Sequence, residues 1–218
     1  MWEWRFFCEL ARAPLFYANQ TDLESAINSE SQEVRLDRYI NLNTPELGLK
    51  FRNIRKDAKN AILELKVSFQ INDWKAEYWE KPITRYTSTY PAREVIPTLL
   101  SKESNNLSQE LSQKINWIID YISRKDLEFI TMKKKRKKYY LYDPNKVIKS
   151  KFQIPKASSI IEQTVIEFNR TTWKTISIQS YNVQTIKGIL DNLKIDDRYI
   201  ISGYPGFLIG QSTASNNL

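Results

Sequence analysis

Charged residues alternate with apolar residues in several short stretches of this sequence. Residues 49–52 read LKFR, and Glu64 and Lys66 alternate with leucines in the same way. Because successive side chains of a β-strand point to opposite faces, Lys50 and Arg52 are expected to share one face. Arginine and lysine bind phosphate oxygens, and carboxylates hold Mg²⁺ or Mn²⁺ ions that bridge to them. If such strands close into a barrel, the charged faces line a lumen that suits a phosphate chain; on a one-sided sheet they are simply solvated.

Further charges lie on predicted strands. Glu3 and Arg5 alternate with aromatic residues at the N-terminus, and Glu167 lies in the run VIEF. Strand-like residues flank the basic run KKKRKK at 133–138, and alternation sends three of its residues, including Arg136, to one face and three to the other. One half is then available to a ligand and the other to solvent. The alternatives for this run are a nuclear-localisation signal, a nucleic-acid contact or the solvated tip of a hairpin.

The residue types that are missing exclude several catalytic devices. The sequence has no histidine, and Cys8 is its only cysteine. It therefore contains no Ser-His-Asp triad, Cys-His dyad, His-ligated zinc or disulfide within the chain. Cys8 lies in an apolar run and is predicted to be a core residue. The five glycines are not spaced as in a phosphate-binding loop or a dinucleotide fingerprint.

Length and charge limit the class of partner. The chain has 218 residues, and 33 lysines and arginines against 25 acidic residues give it a net charge of +8. This excess predicts a polyanionic partner such as a nucleic acid, a nucleotide, polyphosphate or an acidic membrane surface. The apolar runs are shorter than the ~20 residues of a membrane span, and the N-terminus lacks a cleavable signal pattern. We therefore expect a soluble, intracellular protein with no membrane span.

Hydrophobic spacing predicts short strands with a few inserted helices. Helices are predicted at residues 21–29, 106–124 and 183–193, the first from a capping box and the second from an apolar stripe at helical spacing. Strands are predicted at residues 2–10, 33–42, 47–54, 61–69, 127–132, 139–142, 159–168 and 173–180. Residues 70–103 are treated as a connecting segment rich in Trp, Tyr and Pro. An extended C-terminal piece contains Gly203, Tyr204 and Pro205.

The succession of hairpins, with helices inserted rather than alternating with strands, favours an α+β fold. We predict a closed or nearly closed antiparallel β-barrel with inserted helices. The sequence predicts one domain over residues 1–210 and a disordered tail at residues 211–218.

The order of these stretches resembles the CYTH superfamily, the triphosphate tunnel metalloenzymes. RLDRYI at 35–40 is similar to that family's DxY strand, LGLKFR at 47–52 to its LRxR strand, and ILELK at 62–66 to the strand that ends in a lumen lysine. FITMKKKRKKY at 129–139 is similar to its KxRxxY strand, and residues 165–180 to the hairpin that ends in ExE. The resemblance implies an eight-stranded antiparallel barrel. Its bore would bind phosphate through the cations Arg5, Lys50, Arg52, Lys66 and Arg136.

The departures from the family pattern fall on the metal chemistry. The family's opening strand reads ExExK, whereas this chain reads WEWR, with Glu3 as the one carboxylate and Arg5 in place of the lysine. The terminal ExE becomes Ser177 and Gln179, neither of which is a strong ligand of divalent cations. The resemblance implies three candidate catalytic carboxylates, which are Glu3, Glu64 and Glu167. Of these, Glu3 and Glu167 are the candidate ligands of a weakly bound Mg²⁺ or Mn²⁺.

The sequence thus predicts binding of triphosphate, polyphosphate or a nucleotide in a cationic barrel lumen. Metal-dependent phosphohydrolase activity is expected to be weak or absent, so the chain is at most a degenerate triphosphatase. The alternative is a non-catalytic scaffold, or a nucleic-acid-binding or protein-binding subunit of a larger assembly. Binding to nucleic acid should weaken steeply with salt, whereas association with a protein partner should not.

Overall fold

A computed structural model of the chain describes residues 1–10, 27–52, 61–87, 95–104, 107–141, 159–191 and 199–215. These residues form nine strands: β1 Trp2–Glu9, β2 Ile27–Ile40, β3 Leu47–Arg52, β4 Ala61–Ile71, β5 Glu77–Thr87, β6 Phe129–Leu141, β7 Ser159–Phe168, β8 Thr171–Ser180 and β9 Ile200–Ile201. They also form four helices: α1 Val95–Ser104, α2 Gln109–Arg124, α3 Val183–Leu190 and α4 Tyr204–Ser215. In these parts of the chain, no helix is long and apolar enough to cross a membrane.

The strands pair in the order β5-β4-β3-β2-β6-β7-β8-β1-β9, and β5 also pairs with β1. The sheet therefore closes on itself as an antiparallel barrel of eight strands, β1 to β8. The predicted α+β class with a closed antiparallel barrel is confirmed. Closure gives each of these eight strands two neighbours within the barrel, and its side chains alternate between an inner and an outer face.

Contacts between residues divide the chain into two compact units. One unit comprises Met1–Val34, Gln70–Tyr78 and Lys134–Gly203. The other comprises Arg35–Phe69, Trp79–Lys133 and Tyr204–Leu218.

The first unit is built on the pairing of β1 with β8 and of β8 with β7. Arg5 lies opposite Ser177 on β8, and Ser177 lies opposite Glu162 on β7. The other face of these strands is apolar, and its buried residues pack with Ile186 of α3: Trp4, Phe6, Cys8, Ile161, Ile176 and Ile178. The predicted core position of Cys8 is confirmed. The buried Arg5 thus lies on the face opposite to this apolar cluster.

The second unit is built on β3, which pairs with β2 on one side and β4 on the other. Lys50 lies opposite Tyr39 on β2 and opposite Glu64 on β4. Leu49, Phe51, Leu63 and Leu65 form the apolar face and pack with residues of α1 and α2. The predicted alternation of β3 and β4, with charges on one face and apolar side chains on the other, is confirmed.

Helix α2 supplies much of the apolar cover of the second unit. Ser108 caps its N-terminus by accepting a hydrogen bond from the backbone of Leu111. Its buried residues recur at helical spacing: Leu111, Ile115, Ile118 and Ile122. The predicted helix and its apolar stripe are confirmed.

The C-terminal segment differs from the prediction. Residues Tyr204–Ser215 form helix α4 instead of an extended piece, and residues 211–215 of the predicted tail continue this helix. Pro205 suits the first helical turn, because a backbone N–H there has no partner within the helix. A Cβ atom on Gly48 would lie 3.2 Å from Pro205 Cγ, so the glycine lets α4 approach β3 closely. Residues 216–218 lie outside the described part.

Two other sequence predictions are corrected. Of the helix predicted at residues 21–29, residues 21–26 lie outside the described part, and residues 27–29 belong to strand β2. The basic run at 133–138 is not a hairpin tip, because β6 runs through it without a break. The segment at 70–103, which sequence reasoning left unassigned, contains the end of β4, strand β5 and most of helix α1.

Candidate functional site

The first charged cluster, called here the Arg5 cluster, lies on the inner face of β1, β6, β7 and β8. Arg5 is only 4% exposed, and each nitrogen of its guanidinium group donates a hydrogen bond. The Nε atom donates to Glu3 Oε1 at 3.0 Å and the Nη1 atom to Thr175 Oγ1 at 3.2 Å. The Nη2 atom donates to Glu162 Oε1 at 3.2 Å and to Ser177 Oγ at 3.0 Å. The guanidinium group of Arg5 is therefore already engaged by side chains of the protein.

Glu162 joins the two arginines of this cluster. Its Oε2 atom accepts a hydrogen bond from Arg136 Nη1 at 2.8 Å, and Arg136 Nη2 also pairs with Glu33. Burial raises the pKa of Glu162, but the nearby cations Arg5, Arg136, Lys138 and Lys134 outweigh burial and hold that pKa well below its usual range. Glu162 is therefore an ionised counter-charge and cannot serve as a proton donor near neutral pH.

The second charged cluster, called here the Glu64 cluster, lies on the charged face of β2, β3, β4 and β5. The carboxylate of Glu64 is buried, and it lies 3.0 Å from Lys50 Nζ and 2.6 Å from Arg52 Nη1. Lys81 Nζ lies 3.8 Å away, at the exposed side of the cluster. Lys66 Nζ lies 5.4 Å from the centre of the Trp79 ring, within the range of a cation–π contact.

Asp37 is the second carboxylate of the Glu64 cluster. It is fully buried, accepts a hydrogen bond from Arg35 Nη2 at 2.8 Å and lies 3.7 Å from Lys50 Nζ. The cluster thus combines five cations with two carboxylates: Arg35, Lys50, Arg52, Lys66 and Lys81 with Asp37 and Glu64. These seven side chains carry an excess of positive charge.

The crowding of cations shows in two pKa values. Burial raises the pKa of Glu64, but Lys50, Arg52, Lys81 and Lys66 outweigh burial and hold it well below its usual range. The pKa of Lys81 is lowered to about 8, by burial first and then by the charge of Lys66, against the attraction of Glu64. An added anion would relieve this repulsion.

The structure brings most of the predicted site residues together in these two groups. Lys50, Arg52, Lys66 and Glu64 meet in the second unit, while Arg5, Arg136 and Glu3 meet in the first. Glu167 does not join them. It is exposed, and it lies five residues from Glu162 along β7 and therefore on the opposite face. The carboxylate of β7 that takes part in the Arg5 cluster is Glu162.

Sequence reasoning missed Glu33, Asp37, Lys81 and Glu162. Asp37 carried a usable signal, because it lies in the stretch RLDRYI that resembles a family motif. Glu162 carried no usable signal, because the choice between Glu162 and Glu167 depends on the register of β7 against β8. Lys81 lies in the segment that was left unassigned.

The carboxylates of the Arg5 cluster do not fit a divalent metal ion. Among the described residues, no three Asp, Glu, Cys or His side chains are grouped closely enough to hold one. Glu3 and Glu162 each direct an oxygen at the guanidinium of Arg5. With Arg5 in place, an ion would have to displace a fixed positive charge that these carboxylates already neutralise.

A cleft of about 280 Å³ lies within the first unit, next to the basic strand β6. Its walls include exposed Lys135 and Lys137, and Lys174 from β8. Val34 and Val165 contribute apolar surface. The alternation predicted for the basic run is therefore confirmed for its central residues, since Lys134 and Arg136 are buried while Lys135 and Lys137 are exposed.

Comparison with solved structures finds several that superpose on this chain along most of its length. HpAC1 from Hippeastrum, a candidate adenylyl cyclase with a dominant triphosphatase activity, superposes with a TM-score of 0.53 at 16% identity, over 97% of this chain and 95% of that chain. The PH1819 protein from Pyrococcus horikoshii superposes with a TM-score of 0.46 at 12% identity, over 96% and 99%. A candidate adenylate cyclase from Bacillus halodurans superposes with a TM-score of 0.41 at 11% identity, over 88% and 91%.

The likeness to HpAC1 shows the fold, which is a closed antiparallel barrel. Comparison of the sequence with known protein families finds no match, and comparison with curated proteins finds none either.

Proposed function

We propose that this protein is a divergent member of the CYTH superfamily and that it binds the phosphate chain of triphosphate, polyphosphate or a nucleotide at the Glu64 cluster. The observation that carries the proposal is the excess of cations around Glu64. Arginine and lysine groups of this kind pair with phosphate oxygens by charge-assisted hydrogen bonds. The triphosphatase activity of HpAC1, which shares the fold, supports this class of ligand.

Within the cluster, the cations have different roles. Lys50 and Arg52 lie 3.0 Å and 2.6 Å from the carboxylate of Glu64, which holds both side chains in place. Lys66 and Lys81 are less buried than Lys50, and Lys81 has 43% of its side chain exposed. These two lysines are the groups that a phosphate chain would reach first.

Hydrolysis is proposed to be slow or missing, and metal binding weak. Glu64 is ionised and engaged by cations, and Glu3 is engaged by Arg5, so neither is disposed to hold Mg²⁺ or to act as a general base. Arg5 and Arg136, which the sequence predicts to bind phosphate, are given a different role here because Glu3, Glu33 and Glu162 engage them.

Thermal unfolding tests binding in the absence of metal. Tripolyphosphate or pyrophosphate added in EDTA should raise the melting temperature of the wild-type protein in a saturable way. Release of phosphate from tripolyphosphate and from nucleoside triphosphates, with Mg²⁺ or Mn²⁺, tests the enzymatic form. The absence of both a thermal shift and phosphate release would remove the proposal.

A second candidate function is contact with the phosphate backbone of a nucleic acid. It is supported by the exposed lysines of β6, Lys135 and Lys137, which line the cleft together with Lys174. Binding to an unrelated single-stranded RNA should then fall steeply between 50 and 200 mM salt, on the scale expected when lysines release counterions from the nucleic acid. The double variant Lys135→Gln, Lys137→Gln should reduce the slope. A salt-independent association with one protein would instead favour the scaffold role.

A further inference from the structure

The surroundings of Arg5 have the composition of a cation site. Two carboxylates and two hydroxyl groups point oxygens at its guanidinium, at distances between 3.0 and 3.2 Å: Glu3, Glu162, Thr175 and Ser177. All four are buried. Oxygen ligands of this kind, with one or two carboxylates completed by water, are also what Mg²⁺ and Mn²⁺ take in proteins.

The strand register explains why these oxygens converge. Arg5 on β1 lies opposite Ser177 on β8, and Ser177 lies opposite Glu162 on β7. Glu3 and Thr175 lie two residues away on the same faces of their strands. Backbone pairing in the barrel therefore brings the four oxygens together. The guanidinium group of Arg5 lies between them and contacts all four.

We propose that the guanidinium of Arg5 is a built-in cation that takes the place of a divalent metal ion between Glu3 and Glu162. The charge supports this assignment, because Arg5 lies 3.0 Å from Glu3 and 3.2 Å from Glu162, and its positive charge offsets the repulsion between these two carboxylates. The geometry supports it too, since a guanidinium presents five N–H donors in a fixed plane and can satisfy several acceptors at once.

Two consequences follow. The wild-type protein does not need a metal ion to stabilise the Arg5 cluster, so chelators leave its stability unchanged. Removing the side chain of Arg5 opens a space bordered by two carboxylates and two hydroxyl groups, and that space binds Mn²⁺. This inference concerns the protein without phosphate and does not depend on the function proposed for the Glu64 cluster.

The experiment compares the wild-type protein and Arg5→Ala, each first treated with EDTA and then titrated with MnCl₂. Thermal unfolding should show an unchanged melting temperature for the wild type. Arg5→Ala should melt lower than the wild type in EDTA, and its melting temperature should rise by about 5–10 °C when Mn²⁺ saturates the new site. Loss of the free Mn²⁺ signal in electron paramagnetic resonance should give one bound ion per Arg5→Ala chain and none per wild-type chain.

Two control variants test the assignment of ligands. The double variant Arg5→Ala, Glu162→Gln loses one carboxylate and should gain no stability from Mn²⁺. Arg5→Lys keeps a cation at the site and should also show no response. The proposal is wrong if Arg5→Ala binds no Mn²⁺, whether or not it is folded. It is equally wrong if the wild-type protein binds one Mn²⁺ that Glu162→Gln abolishes.

Discussion

Lys50 and Glu64 face each other on paired strands, and their charged atoms lie 3.0 Å apart. The pair is buried, so its two charges are taken out of water and depend on each other. Arg52 adds a second positive charge at 2.6 Å from the same carboxylate. Around Glu64 and Asp37 the cluster gathers five cations, so its positive charges outnumber its two carboxylates. This imbalance is the physical reason for expecting an anionic ligand.

Replacing Glu64 with glutamine should test the balance of charge. The variant leaves the buried Lys50 and the partly buried Arg52 without their shared counter-charge, so the free energy of unfolding should fall by about 3–5 kcal/mol. Tripolyphosphate should restore part of the loss, because it supplies negative charge at the same place. Urea unfolding measures both effects. Glu110→Gln, at an exposed i,i+4 pair with Lys114 on α2, is the matched control and should change stability by less than about 0.5 kcal/mol. An equal loss in both variants would contradict the account.

Binding of a polyanion should be accompanied by uptake of protons near pH 8. The pKa of Lys81 is lowered to about 8, so about half of the free protein lacks this proton at that pH. A bound phosphate chain raises the pKa of Lys81, and about half a proton should enter per ligand. Calorimetry in two buffers with different enthalpies of ionisation measures the uptake. Lys81→Gln should reduce it, and an undiminished uptake in that variant would assign the proton to another group.

Acid should destabilise the protein partly through Glu162. Its pKa is held below the usual range in the folded state, so its stabilising contribution is complete above about pH 4.5 and is lost as the pH falls below that value. The urea midpoint of the wild type should therefore drop between pH 5 and pH 3, and Glu162→Gln should show a shallower drop. The exposed Glu167→Gln is the matched control and should follow the wild type. Parallel curves for all three proteins would exclude this role of Glu162.

The double variant Lys50→Ala, Arg52→Ala should lose tripolyphosphate binding. We also expect it to be less stable than the wild type. Crowded cations repel one another, and this effect alone would make the variant more stable. Lys50, however, lies within 4 Å of both Asp37 and Glu64, which are buried. We expect the urea midpoint of the variant to fall. A midpoint equal to that of the wild type would show that the buried carboxylates have other counter-charges.

Strands β3 and β4 could be predicted from the sequence because charged and apolar residues alternate along them. Lys50 and Arg52 alternate with Leu49 and Phe51, so the order of residues along β3 is enough to place the two cations on one face of the strand. Helix α2 was predictable for the same reason, since its buried residues recur every three or four positions. Helix α4 was not, because its glycines and Pro205 are weak helix formers and its contacts with β3 come from distant parts of the chain.

The charged partners were harder to predict than the strands. Glu162 and Glu167 both lie on β7, and a choice between them requires the register of β7 against β8 and β1. Register is decided by pairing across the sheet and not by local sequence. The pairing of Arg5 with Glu162 also depends on register, because it joins β1 to β7 across β8. The sequence predicts that Arg5 binds phosphate, but it does not reveal this partner.

Isothermal calorimetry of tripolyphosphate in the presence of EDTA tests the central claim most directly. The wild-type protein should bind one tripolyphosphate per chain, and the double variant Lys66→Gln, Lys81→Gln should bind at least about tenfold more weakly, because two charge-assisted contacts are lost. Lys114→Gln on α2 removes one lysine elsewhere and should bind as the wild type does. No binding to the wild type, or the same affinity in all three proteins, would contradict the assignment of the Glu64 cluster as the phosphate-binding site.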